Sequence, residues 1–205
     1  CATGAGDWPG KALYGFQVTG RPPSHSMTAA RYTRRLTPMT IELSNMQGDY
    51  RLNAGRIRRL TARLLQLAIK GSRRRPWGDL SVVFTNDAGI EAVNRLHLSR
   101  LGSTDVISFR YLPMPGEGRR LSGEVIVNVH RAVTAATARR GWSASQELSL
   151  YIAHGINHLA GGRDSTVAQR AQMRRRELRW LREAATRRQT RDLIRCHAPG
   201  AGRPR

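Results

Sequence analysis

Glu147-Leu148-Ser149-Leu150-Tyr151-Ile152-Ala153-His154-Gly155-Ile156-Asn157-His158-Leu159-Ala160-Gly161-Gly162-Arg163-Asp164 is an apolar, helix-compatible run that ends at paired glycines. In a helix, His154 and His158 stand one turn apart and project from the same face. Gly161-Gly162 favours a C-cap with left-handed backbone, so the helix stops there and the chain turns back. That turn can carry Asp164 to the same point in space. Two imidazoles and a carboxylate, with a water in the fourth position, form the ligand set of a catalytic zinc site rather than a structural one. The competing reading of the histidine pair alone is two side chains on a half-buried face. Zinc peptidases of the His-Glu-x-x-His type keep their general base directly after the first histidine, where this chain has Gly155, so that chemistry is disfavoured.

Outward from this stretch, segments of strand and helix alternate before a helical C-terminal half. Ile41-Glu42-Leu43 reads as a first strand. Asn53 can cap a helix to about Lys70, with Ile57, Leu60, Leu64, Leu67 and Ala68 at helical spacing. Ser72 to Pro76 forms a basic loop, Leu80 to Phe84 a buried strand, and Asn86 or Asp87 caps a helix to about Leu96. Thr104 to Arg110 is a strand and Met114 to Gly118 a loop. Leu121 to Val129 is apolar at both parities, which predicts a central strand covered on both faces. Helices follow at about 130–140, 145–160 and 166–189. The expected fold class is therefore α/β (α+β): a small mixed β-sheet packed with helices, the histidine-bearing helix lying in the C-terminal half.

The chain carries 35 Lys and Arg against 14 Asp and Glu, a formal charge of +21. Residues 1–39 hold five basic and one acidic residue, 40–185 hold 24 and 12, and 186–205 hold six and one, so the charge is not confined to the ends. Such a surface attracts polyanions, RNA first among them, although a high-GC genome also favours Arg. Residues 1–39 are rich in Gly, Pro, Ser and Thr and read as a disordered basic leader: a transit peptide, an RNA-contacting arm, or a stretch upstream of the true start near Met39. Residues 40–185 form the expected domain and 186–205 a basic flexible tail. Cys1 and Cys196 make neither a disulfide framework nor a zinc pair. No membrane span or secretory signal is evident, so a cytoplasmic location is expected, or an organellar matrix if the leader is a transit peptide.

His154-Gly155-x-x-His158-Leu159-x-Gly161-x-x-Asp164 resembles the signature of the YbeY family of single-domain, metal-dependent endoribonucleases. Three further segments match in order: Asn94 with Thr104-Asp105-Val106-Ile107-Ser108-Phe109, then Gly123-Glu124-Val125-Ile126-Val127, then Met173 with Glu177. The resemblance implies cleavage of single-stranded RNA in ribosomal RNA processing, including maturation of a 16S-type 3′ end, and ribosome biogenesis with the small subunit and its proteins. It implies a zinc or similar divalent ion, one per chain, on His154, His158 and Asp164. Thr104, Asp105 and Ser108 would shape the phosphate-binding edge, with Asp105 in a supporting role. Two departures stand out. Asp164 occupies the place of the family's usual third histidine, and Leu98 that of an active-site arginine, for which Arg95 or Arg100 would have to substitute. His97 lies where the family often has an aromatic residue.

Two other functions compete with the nuclease. A catalytically weak ribosome assembly factor fits Leu98 and the basic surface, and a metal hydrolase of small substrates fits the ligand set alone. Salt separates the last, because binding through many phosphate contacts falls steeply as salt rises.

Overall fold

The computed structural model describes residues 2–4, 39–70, 76–99, 101–111 and 120–195. The first helix, α1 (Ala54–Ile69), starts where Asn53 accepts a hydrogen bond from Arg56 N, and Ile57, Leu60, Leu64 and Leu65 on its inner face are fully buried. Strand β4 (Trp77–Thr85) follows. The side chain of Asn86 then accepts from Gly89 N and opens α2 (Asp87–Leu98). Strands β5 (Val106–Tyr111) and β6 (Leu121–Asn128) lead into α3 (Val129–Ala138), α4 (Ala144–Leu159) and α5 (Val167–Ala185). Reciprocal capping boxes, Ser143 with Gln146 and Thr166 with Gln169, set the starts of α4 and α5.

With β1 (Ala2–Gly4) and β2 (Ile41–Asn45), the sheet has the order β1-β5-β6-β4-β2. It is mixed: β5 and β6 are antiparallel, whereas β4 pairs in parallel with both β2 and β6. Strand β6 lies inside the sheet, as its two apolar faces require. Val125 and Val127 join the core beneath α1, α4 and α5, while Ile126 joins Ile90, Ile107 and Phe109 beneath α2. From Glu147 to Ala160 only His154 is not buried, because α4 is packed against the sheet, α1, α3 and α5. The most apolar helix of the sequence is thus the central one.

Three expectations change. Ala2–Gly4, inside the expected leader, pairs its backbone in parallel with Ile107–Phe109. The last helix ends at Ala185 instead of 189. The expected tail is packed as far as Arg195: β7 (Ile194–Arg195) pairs with β3 (Arg51–Leu52). Leu193 is fully buried, its N–H donates to Ser145 Oγ, and its carbonyl accepts from Asn53 N. An apolar pair, Leu193-Ile194, among charged residues has no periodicity to reveal it, which is why the sequence hides this contact. Leu193→Ala is expected to cost about 3 kcal/mol of unfolding free energy, measured by urea titration. An unchanged midpoint would return 186–195 to a dispensable tail. Residues 5–38 and 196–205, and the expected loops at 72–75 and 114–118, lie outside the described residues.

Candidate metal centre

The site is built on the last two turns of α4 and the turn that follows. Gly161 takes φ +87°, and the N–H of Gly162 donates to Asn157 O, so the chain doubles back over the helix end. This turn delivers Asp164 to the histidines. His154 and His158 meet edge to face, with ring centroids 4.6 Å apart and their Nε2 atoms at 3.2 Å. Asp164 Oδ2 lies 3.5 Å from His158 Nε2, and one ligand atom from each of the three residues falls within 4.8 Å of the others.

The surrounding hydrogen bonds fix the tautomers. His154 Nδ1 faces Glu177 Oε1 at 2.7 Å and His158 Nδ1 faces the Gly162 carbonyl at 3.3 Å, so each ring donates its proton outward. Both Nε2 lone pairs then point at one another and at a carboxylate. Unshared lone pairs at that distance repel unless a cation lies between them, and this is the donor set a divalent ion takes. Burial, reinforced by His154, holds the His158 imidazole below its ordinary pKa, with Asp164 and the Gly162 carbonyl opposing. The neutral ring, which is the one that can bind a metal, is thereby favoured.

Glu177 is the residue whose role only the fold reveals. It is 2 % exposed on α5, and its Oε1 accepts from both His154 and Asn157 Nδ2, while Arg176 donates to Asn157 Oδ1. The signal in the sequence was a carboxylate on the apolar stripe of Met173, Trp180, Leu181 and Ala184. Arg170 donates to the carbonyls of Asp164 and Ser165 and so anchors the loop that carries Asp164. Glu177→Gln preserves shape but replaces the charged acceptor. It is expected to weaken divalent-ion affinity by roughly 10- to 100-fold with the fold intact, as read by competition with a chelating dye. Unaltered affinity would make Glu177 a packing residue only.

The other site expectations divide. Ser108 does not line a phosphate edge: it is 2 % exposed and its hydroxyl donates to Gly155 O beneath α4. Thr104 Oγ1 donates to Asp105 Oδ1, which also accepts from Val106 N, so the pair shapes the entrance of β5. Arg95 is exposed in the last turn of α2 and Arg100 lies outside the described residues. Leu98 packs on the cluster of Ile90, Ile107, Phe109 and Ile126. That sheet face is opposite the one α4 covers, since α4 meets Val106, Ser108 and Val125 through Gly155. His97 stacks edge-on against Phe109, 5.7 Å between centroids, on the same α2 side.

The geometry defines a helix-borne His-His-Asp site on an α/β domain. A family model, Endoribonuclease YbeY, matches residues 42–185. Endoribonuclease YbeY of Anaeromyxobacter sp. is 33% identical over 139 residues, 68% of this chain and 69% of its own length. The Moorella thermoacetica protein of the same description is 30% identical over 148 residues, 68% of this chain and 93% of its own. A solution structure from Thermotoga maritima aligns over 79% of this chain and 99% of its own at 18% identity, with a TM-score of 0.47. The chain belongs to the YbeY endoribonuclease family and is a hydrolytic nuclease. Among the described residues, no helix is long and apolar enough to cross a membrane.

Proposed function

We propose that this chain is a zinc-dependent endoribonuclease that cleaves single-stranded RNA in ribosomal RNA processing, with 16S-type 3′ end maturation as its reaction and the small ribosomal subunit as its partner. The observation that carries the metal assignment is the convergence of His154, His158 and Asp164, with both Nε2 lone pairs turned inward. A divalent ion held there supplies Lewis acidity, lowering the pKa of a water and polarising a phosphoryl oxygen. The protein's own residues do the rest. Glu177 and the Gly162 carbonyl hold the two rings in the binding tautomer, Arg170 holds the Asp164 loop, and Thr104 and Asp105 hold the entrance of β5. Arg95 or Arg100 supplies the cation that the family takes from the position of Leu98. The chain's excess of basic charge suits a polyanionic substrate, and the cytoplasm is the compartment we assign.

Leu98 favours a second reading, a catalytically weak assembly factor, because its side chain belongs to the apolar cluster under α2. Leu98→Arg in isolation would put a guanidinium against that cluster and is not expected to speed cleavage. Metal analysis paired with cleavage of a single-stranded RNA, on wild type and His158→Ala, decides between the readings. Wild type that holds the ion and binds small subunits but leaves RNA intact would establish the assembly role.

A further inference from the structure

We propose a second RNA-binding subsite, remote from the metal centre, where a base of the substrate strand enters a cavity beside Trp142 and its phosphates lie along an arginine ridge on α5. The cavity has a volume of about 410 Å³, with Trp142, Leu178, Leu181 and Ala185 forming its apolar wall and Arg182 its rim. Trp142 is half-buried at the start of α4, and two guanidiniums lie over its ring, Arg139 at 5.1 Å and Arg174 at 5.9 Å. An aromatic ring flanked by arginines is the pairing that single-stranded nucleic acid uses, since bases stack on the ring while phosphates meet the cations.

The ridge connects this cavity to the metal centre. Arg170, Arg174, Leu178 and Arg182 recur every four residues, hence along one side of α5. Arg170 bonds the Asp164 loop at one end, Arg174 reaches Trp142, and Leu178 and Arg182 line the cavity at the other. Measured on α4, the cavity at Gln146 lies eight residues before His154, roughly 12 Å. A strand whose scissile phosphate sits at the histidines can therefore place a flanking base in the cavity. Charge complementarity selects a polyanion over an apolar polypeptide here, and the endoribonuclease family assignment makes RNA that polyanion. The location of the scissile phosphate rests on the proposed function; the subsite itself does not.

The test is equilibrium binding of a labelled single-stranded RNA of about a dozen nucleotides to the full chain in excess chelator, where no divalent ion is present to cleave it. Arg174→Glu with Arg182→Glu is expected to weaken binding on the order of tenfold or more and to flatten the dependence on log salt by about 0.7 for each phosphate no longer neutralised. Arg58→Glu with Arg59→Glu, the same charge change on exposed α1 positions, serves as control and should cost much less. Trp142→Leu keeps an apolar side chain but loses the stacking face, and should weaken binding about tenfold, with Trp142→Phe restoring most of it. If the α5 pair weakens binding no more than the α1 pair, the ridge is overturned. Full affinity in Trp142→Leu overturns the base cavity, and RNA affinity untouched by every variant while a polypeptide occupies the groove overturns both. With no divalent ion present the strand stays intact, so these outcomes are independent of whether His158→Ala loses metal.

Discussion

His158→Ala is expected to empty the metal centre. Wild type should carry about one divalent ion per chain, and removal of one of only three protein ligands should bring occupancy close to zero and RNA cleavage to background. The fold should survive, because the substitution also removes the repulsion between two Nε2 lone pairs 3.2 Å apart. Elemental analysis of metal-loaded, gel-filtered protein gives the occupancy, and circular dichroism checks the fold. Full occupancy in the variant would place the ion elsewhere. Cleavage that persists without bound ion would detach the nuclease activity from this site altogether.

Gly155→Glu, which would recreate the His-Glu-x-x-His spacing of zinc peptidases, is expected to destroy the fold rather than add a general base. A Cβ at Gly155 would lie 2.4 Å from Val125 Cγ1 and 3.1 Å from both Ser108 Oγ and Val106 Cγ2. Those partners are buried in the sheet, and a valine side chain is stiff, so the strand itself must move. Overpacking of that kind costs about 1–3 kcal/mol, and a carboxylate forced into the interface without a partner adds several more. The sum consumes most of a typical total stability of about 5–15 kcal/mol. Gly155→Ala gains about 1 kcal/mol of helix propensity yet should still lose stability to the clash. Wild-type urea midpoints in both variants would mean that α4 presents another face to β6. The same contact explains why the position after His154 is glycine: it faces the sheet, not the cluster of His154, His158 and Asp164.

The apolar run from Glu147 to Ile152 determined that a buried helix would carry His154 and His158 on one face, and the paired glycines determined where it would stop. Both depend on neighbours in sequence, through helical periodicity and backbone freedom, so the sequence alone suffices. The two apolar parities of Leu121 to Val129 likewise determined a central strand. Polarity at a single position is less informative, because it depends on what lies opposite. Ser108 is small and polar but serves the Gly155 carbonyl under α4, and Leu98 joins the cluster under α2. Glu177 and His154 are 23 residues apart and meet only when α5 folds back along α4. Leu193, in a short apolar pair beyond the last helix, is held in the core by backbone hydrogen bonds with Ser145 and Asn53, distant partners on two other helix starts. Local spacing set the candidate ligands; the hydrogen bonds that orient them, and the packing that excludes a side chain at 155, exist only where distant segments are brought together.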